Sequence, residues 1–230
     1  MKTQSASYFL ALSLLTGCVS YQVKPEKITS YNNGIQVLTS AKPDSKVQIE
    51  VAQKKLKGLD NPPLVIYVGA QILSGAPVNF DTSNISVSEK GSPLPVLGFQ
   101  AMMKSSYDFE PVLQKFNIAT PNSNIVEDGI GPSMFYYGQG SFLAYDMMFG
   151  MPFMMMDDVQ TQEIMQEERQ AFKIMAINYL KRSTLKPDGK AKGGFVVIDP
   201  KPIKPGTLVV KVTLHNETHT FKIDIQNPQQ

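Results

Sequence analysis

Short apolar segments that alternate with polar residues run through the chain from residue 46 onward and constrain its fold most strongly. Val47, Ile49 and Val51 alternate with Gln48 and Glu50, the period-two pattern of a strand with one solvated face. A nearly continuous apolar run at 64–73 indicates a central strand. Further apolar segments lie near 85–96 and at three places after residue 194, with glycine-containing turns among them. This pattern predicts a mainly β fold of the sandwich type.

Two helical patterns interrupt the strands and predict an insertion at about residues 100–182. Residues 108–117 suit a short helix, and residues 157–182 suit a longer one that ends in the basic pair Lys181-Arg182. Apolar side chains recur at helical spacing on one face of the longer segment, namely Met165, Phe172, Met175, Ala176 and Tyr179. We therefore predict an α+β chain in which residues 46–230 form a β-sandwich with a helical insertion between strands.

The composition and net charge bear on whether the protein binds nucleic acid. Hydrophobic residues make up 42% of the chain, which is enough to form a core, and the formal net charge is only +2. Because binding to nucleic acid relies on a strongly basic surface, this balance gives no reason to expect a nucleic-acid partner.

The first eighteen residues carry a targeting pattern. Met1-Lys2 is a short positive region, and the apolar stretch from Tyr8 to Leu15 is too short to span a bilayer, which takes about 20 residues. The stretch closes on Leu15-Thr16-Gly17-Cys18, which resembles the lipobox of bacterial lipoproteins. Residues 1–17 are accordingly interpreted as a signal peptide. Cys18 is the only cysteine in the chain, and it lies where the lipobox requires it.

The resemblance to lipoproteins implies a location. In that family the cysteine thiol takes a diacylglycerol, so Cys18 is the predicted lipidation site and the lipid is the only covalent group expected. The absence of an aspartate after Cys18 implies delivery to the outer membrane, with the protein facing the periplasm. Residues 18–45 contain the breakers Pro25, Asn33-Gly34 and Pro43 and are interpreted as a lipidated tether, with a reach of roughly 30 Å as a flexible coil.

A second resemblance concerns the C-terminal part of the chain. Leu185 and the turn Pro187-Asp188-Gly189 precede the glycine-led segment that begins at Gly193-Gly194 and continues into Phe195-Val196-Val197. This order is similar to the late strands of periplasmic immunoglobulin-like modules, which usually bind or scaffold other proteins. The resemblance implies an immunoglobulin-like sandwich and no catalytic residue.

The two histidines need a structural argument before they can be called metal ligands. On one uninterrupted strand, His215, Glu217 and His219 would share a face and could bind zinc. The apolar residues before and after them have opposite parity, however, which predicts a hairpin with a two-residue loop at Asn216-Glu217. Val212 would then face Phe221, the two histidines would lie on opposite faces, and no metal site is expected.

No motif for catalysis was found. The chain has no Gly-x-Ser-x-Gly motif, and Ser133 and Ser141 have neither a histidine nor an acid nearby in sequence. We therefore expect a protein that is not an enzyme, although an unrecognised enzyme is an open alternative.

The most unusual segment is residues 133–156, in which six of the ten residues from Met147 to Met156 are methionine. Three interpretations remain open. Methionine fills irregular gaps, so the segment could pack as core. It could be an adaptable surface that docks a partner, with Phe149, Met151, Phe153 and Met154 as the contact residues. Thioethers are also soft ligands, so Met147–Met156 could bind Cu(I).

These observations together predict a non-catalytic outer-membrane lipoprotein. It would contact the membrane through its lipid and would hold or assemble an envelope protein partner, or a second copy of itself, through the methionine-rich insertion. The alternative from another class is a periplasmic Cu(I)-binding or soft-metal-binding protein.

Overall fold

The computed structural model describes residues 20–57, 63–120, 136, 138, 163–187, 189–199 and 203–227, and for residues 57 and 163–169 it describes the backbone alone. Within these residues the strands, in chain order, are β1 (Ser20–Pro25), β2 (Ser30–Asn32), β3 (Ile35–Ala41), β4 (Ser45–Val51), β5 (Lys55–Lys57), β6 (Leu64–Ile72), β7 (Val78–Phe80), β8 (Ile85–Glu89), β9 (Ser92–Leu94), β10 (Ser183–Leu185), β11 (Lys192–Ile198), β12 (Gly206–Leu214) and β13 (Glu217–Gln226). The helices are α1 (Phe99–Met103), α2 (Glu110–Lys115) and α3 (Glu163–Asn178), and a 3-10 turn lies at Thr82–Asn84.

Two antiparallel sheets form the body of the molecule. The first has the strand order β5-β1-β13-β12-β8-β9, and the second has the order β11-β6-β4-β3-β2. A two-stranded sheet pairs β10 with β7. Many neighbours in these sheets are far apart in sequence, so the chain crosses between the sheets several times. The prediction of a mainly β, sandwich-type fold is confirmed at this level.

The main core lies between the two sheets. Alternate residues of β12 and β13 supply one side of it, among them Val210 and Ile223, and the inward faces of β4 and β6 supply the other, among them Ile49 and Ile66. Each of these four side chains is fully buried. Alternation on the first sheet is strict, with exposed residues such as Lys211 between buried ones, because its outer face is in water.

The second sheet is covered on its other face as well. A second core contains Val65 and Tyr67 of β6, Phe195 of β11, and apolar residues of α2 and α3 such as Leu113 and Met175. The molecule therefore has three layers, sheet on sheet on helix. This double burial explains why the sequence of β6 is a continuous apolar run and why the predicted central strand is confirmed.

Burial on both faces corrects the interpretation of β4. Val47, Ile49 and Val51 face the core as the alternation predicts, but the opposite face of the strand is not solvated. Gln48 is 3% exposed and Glu50 is fully buried. The prediction of one wet face is wrong because the helical layer, which is distant in sequence, covers it.

The prediction that residues 18–45 form a tether is wrong for the part that the structure describes. Residues 20–45 contain β1, β2 and β3, and the body of the sandwich starts before residue 46. The apolar side chains of Val23, Ile35 and Leu38 are buried, and β1 pairs with β13 near the far end of the chain. The predicted breakers end strands or form turns: Asn33 and Gly34 have φ angles of 48° and 85° in the turn between β2 and β3.

The C-terminal hairpin forms with a shifted register. Leu214 faces Glu217 and Val210 faces Phe221, so the loop is His215-Asn216 rather than Asn216-Glu217. The shift is two residues, which preserves the parity, and Phe221 is buried as predicted. The register depends on contacts that the sequence pattern does not contain, such as the one between Glu217 and Ser45 on β4.

The insertion contains the predicted short helix as α2, the longer helix as α3, and the unpredicted α1, all between β9 and β10. The longer helix ends at Asn178 and not at Arg182. Tyr179 bridges to Phe195, and the Leu180 amide donates to the Phe195 carbonyl at 2.9 Å, so pairing with β11 replaces the helical hydrogen bonds. Residues 157–162, the predicted start, lie outside the described residues.

Candidate functional site

The residues for which the sequence predicted a role lie outside the described part of the chain. This holds for Cys18 and for the four contact residues of the methionine-rich segment, Phe149, Met151, Phe153 and Met154. Two polar clusters that the sequence did not predict as clusters, although His219 and Glu217 were considered there as zinc ligands, are described completely enough to analyse. One joins the two sheets at an end of the sandwich, and the other lies under the helical layer.

The first cluster is centred on His219, which is fully buried on β13. Its Nε2 lies 2.8 Å from the Ser45 hydroxyl on β4, and its Nδ1 lies 2.9 Å from the Ser40 hydroxyl on β3. The Ser45 hydroxyl also contacts a carboxylate oxygen of Glu217, and the other carboxylate oxygen accepts from the Asp44 amide at 3.3 Å. These residues, the "His219 cluster", connect the first sheet to the second.

The hydrogen-bond pattern assigns the protons in the His219 cluster. A carboxylate can only accept, so Ser45 donates its one hydroxyl proton to Glu217. Ser45 then has no proton for the imidazole, so Nε2 of His219 must carry hydrogen and donate to Ser45. A neutral imidazole has one N–H, and Nδ1 therefore accepts from the Ser40 hydroxyl.

The environment of His219 favours this neutral form. Burial holds the pKa of His219 below its ordinary value, and the nearby Lys42 ammonium acts in the same direction. The Glu217 carboxylate and the backbone of Ser40 oppose the shift without reversing it. His219 is thus a neutral group that satisfies two hydroxyls in the interior.

The trio Ser45, His219 and Glu217 has the residue types of a nucleophilic triad but not its geometry. In a triad the serine gives its proton to the imidazole, and the acid holds the imidazole through the second ring nitrogen. Here the acid takes the serine proton, and the second ring nitrogen contacts Ser40. Ser45 is also only 1% exposed, so its oxygen does not face a substrate. The arrangement is a polar bridge between sheets.

Zinc binding by His215, Glu217 and His219 is not supported by their positions. His215 lies in the loop with a φ of 50°, and its Nε2 is 2.7 Å from the Ala76 carbonyl. His219 and Glu217 are engaged inside the His219 cluster. Among the residues that the structure describes, no group of three or more histidine, cysteine, aspartate or glutamate side chains is placed to hold a metal ion.

The second polar cluster surrounds Glu50, a carboxyl group with no exposed surface. Gln48 donates from Nε2 to Oε1 of Glu50 at 2.7 Å, and the Tyr136 hydroxyl donates to Oε2. Burial, and after it the negative charge of Glu50, raises the pKa of Tyr67 well above its usual range. Each of the two carboxyl oxygens of Glu50 thus accepts a hydrogen bond.

Tyr136 connects the insertion to the sandwich. Its backbone amide donates to the Asn178 side chain at 2.7 Å, close to where α3 ends. Its ring lies 5.0 Å from Tyr67, 5.3 Å from Phe116 and 5.3 Å from Phe195, measured between ring centroids. Residue 136 belongs to the segment 133–156, so this contact holds one point of that segment against the second sheet.

The sequence predicted neither cluster, and the two clusters differ in the signal that the sequence carried. His219 has the parity of Phe221 and Ile223, and that parity was a signal that the imidazole points into the core. Gln48 and Glu50 gave no such signal, because a polar face on a strand normally predicts solvent. Only the covering helices, far away in sequence, make those side chains interior.

Comparisons with protein-family models, with curated proteins and with solved structures found no match. Within the described ranges no helix is long and apolar enough to cross a membrane.

Proposed function

We propose that this chain is an outer-membrane lipoprotein, anchored by lipid on Cys18 and facing the periplasm, that acts without catalysis as a module for binding or assembling an envelope partner. The lipobox at Leu15–Cys18 supports the anchor. Two antiparallel sheets with strands that cross between them suit the finer proposal of an immunoglobulin-like sandwich.

The observation that carries the proposal is the distance in sequence between the anchor and the sandwich. β1 begins at Ser20, two residues after Cys18. A lipid on Cys18 would therefore hold a folded sandwich directly at the membrane surface, without a long tether. Such an arrangement suits a docking module that works at the membrane, and the methionine-rich segment supplies its adaptable contact surface.

The anchor is tested by Cys18→Ser. Thioether acylation requires the thiol, so the variant should no longer be labelled by radioactive palmitate and should leave the membrane fraction. Ser20→Ala, two residues away, is the control and should be labelled like the parent. Palmitate labelling that persists in Cys18→Ser would contradict the lipoprotein proposal.

Partner binding is tested in the segment itself. Met151→Asp with Met154→Asp should abolish recovery of the partner from detergent-solubilised envelopes while the denaturation midpoint stays unchanged, because a charge is tolerated on an exposed surface. A large loss of stability would instead show that the segment packs as core.

The same segment provides a test of the Cu(I) alternative. Replacing the six methionines of Met147–Met156 by leucine keeps volume and apolarity but removes the sulfur ligands. We expect the leucine variant to keep its partner. Tight, stoichiometric Cu(I) binding by the parent chain that disappears in the leucine variant would favour the metal-binding function.

A further inference from the structure

Exposed lysines surround the end of the sandwich at which β1 begins. Lys55 on β5 faces Gln22, two residues after the start of β1. Lys54 precedes Lys55 in the chain. The ammonium nitrogen of Lys54 lies near the turn between β2 and β3, 4.0 Å from the position of a Cβ added to Gly34. Both lysine side chains are exposed.

Two more exposed lysines lie across the first sheet at the same end. β12 begins at Gly206, opposite the end of β13, and β1 begins opposite that same end. Lys90 lies in the turn after β8, where its Cε is 3.3 Å from a Cβ built on Gly206. Lys204 lies two residues before Gly206. We call Lys54, Lys55, Lys90 and Lys204 together the "basic end".

The acidic groups described at this end do not cancel the basic charge at the surface. Glu89 is 8% exposed and lies behind Gly206, and Asp199 is partly buried with its carboxylate accepting from the Tyr107 hydroxyl at 3.2 Å. Asp224, opposite Thr207, is also partly buried, and its carboxylate accepts from the Thr207 hydroxyl at 2.6 Å. The opposite end, where the His219 cluster lies, has exposed charges of both signs, including Lys42 and Asp44. Among the described residues, the exposed charge near the start of β1 comes from lysine.

We propose that the basic end lies against the membrane and binds the headgroups of anionic phospholipids. The inference rests on the proposed lipid anchor, because Cys18 can lie at most about 7 Å from Ser20 even in a fully extended chain. An orientation that turns this end of the sandwich toward the bilayer would bring the lysines to the headgroup layer, where charges interact over about one Debye length, about 8 Å at physiological ionic strength. Each lysine near an anionic surface raises affinity by about fivefold. The lipid and the lysines together would orient the sandwich, with the His219 cluster at the end away from the bilayer.

The orientation can be read from lysine reactivity. The full-length protein is isolated from envelopes, weighed intact by mass spectrometry, and mixed with phosphatidylcholine vesicles with or without phosphatidylglycerol. A water-soluble amine reagent then labels exposed lysines, and peptide mapping gives the rate at each site. We expect labelling of the four lysines to fall several-fold with phosphatidylglycerol and to recover in high salt, while Lys42 reacts equally with both vesicles.

Matched variants test the cause of that protection. Lys54→Gln with Lys55→Gln should weaken the protection of Lys90 and Lys204, whereas Lys42→Gln with Lys211→Gln, which removes the same charge elsewhere, should leave it intact. Adding inorganic phosphate instead of vesicles should protect none of them, because a membrane is required.

The outcomes separate the two proposals. An intact mass without lipid would contradict the proposed anchor. The protection of the lysines by phosphatidylglycerol vesicles would still test whether the basic end binds headgroups. An intact mass that includes the lipid, together with equal labelling of all lysines in both kinds of vesicle, would support the anchor and contradict headgroup binding by the basic end. Protection by free phosphate would replace the membrane with a soluble anion as the ligand.

Discussion

His219 shows how one buried polar residue is accommodated in an apolar interface. It faces Val212 on the adjacent strand, within a core of aliphatic side chains, yet both of its ring nitrogens contact hydroxyl groups. Ser45 is the residue on which this depends, since its hydroxyl serves the imidazole and Glu217 at once. A buried polar group costs free energy mainly when its partner is missing. The His219 cluster is therefore sensitive to single deletions.

We predict that Ser45→Ala lowers the free energy of unfolding by about 1–3 kcal/mol, because it removes partners of both His219 and Glu217. The measurement is equilibrium unfolding in urea at neutral pH. Ser86→Ala, at an exposed position on β8, is the control and should change stability by less than about 0.5 kcal/mol. Equal effects of the two substitutions would mean that the His219 cluster adds no stability.

The depressed pKa of His219 predicts a pH dependence of stability. Burial lowers the pKa in the folded state, so the unfolded chain, with a histidine pKa of about 6.5, takes up the proton first as the pH falls. Stability should therefore be complete above about pH 6.5 and should decrease as the pH falls toward the folded-state pKa.

Urea midpoints measured from about pH 8 down to about pH 5 will show this slope. His219→Gln should flatten it, since the titrating group is gone, while His215→Gln in the exposed loop should retain it. An unchanged slope in His219→Gln would assign the pH dependence to another group.

At the scale of elements, close backbone contacts decide where helices end and strands cross. Gly194 on β11 lies directly against the chain that leaves α3, and a Cβ there would be 2.5 Å from the Leu180 nitrogen. That contact allows Leu180 to donate to the Phe195 carbonyl, which ends the helix and starts the path to β10. Glycine is needed at this position because of the close approach of two backbones.

Gly194→Ala should lower the free energy of unfolding by about 3 kcal/mol, the upper end for overpacking, since the obstructing atoms are main chain and move together. Gly98→Ala is the matched control: its added Cβ meets only Thr82 Oγ1 at 4.0 Å, and we expect a change within about 1 kcal/mol. Thermal unfolding of both variants checks the prediction. Similar costs at the two glycines would show that the junction with α3 can shift to make room.

At the scale of the whole molecule, the helical layer turns an ordinary sandwich sheet into an interior one. It covers the face of the second sheet that carries Gln48, Glu50 and Tyr67, and Tyr136 reaches that face from the insertion. A double-mutant cycle can measure how strongly the hydrogen bond from Tyr136 to Glu50 holds the layers together.

Tyr136→Phe keeps the aromatic ring and removes the donor to Glu50, so it should cost about 1–3 kcal/mol, the range for removing a partner from a buried polar group. In the Glu50→Gln background the same substitution should cost less. Urea unfolding of the four proteins gives the coupling energy. Additive effects would show that the two side chains do not stabilise each other.

The sequence alone determined the features that depend on neighbours in the chain. The apolar run of β6 and the alternation in β12 and β13 identified their strands, because side-chain period is a local property. The glycine turn after β8 and the apolar face of α3 were likewise readable, and Phe172, Met175 and Tyr179 do pack toward the second core. The alternation along β13 also predicted that Phe221 is buried, although it did not identify the residue that Phe221 faces on β12.

Only the tertiary structure decided the features that depend on what lies opposite. β1 and β3 lie within the predicted tether because Pro25, Asn33-Gly34 and Pro43 have the pattern of breakers, and only the pairing with β13 and β4 makes these segments strands. The hairpin register moved by two residues because parity allows any even loop, and contacts such as Glu217 with Ser45 choose among them. Glu50 became interior because the helical layer covers it. Burial depends on everything that surrounds a residue. A pattern along the strand describes the neighbours in the chain but not the elements that pack on the strand from elsewhere.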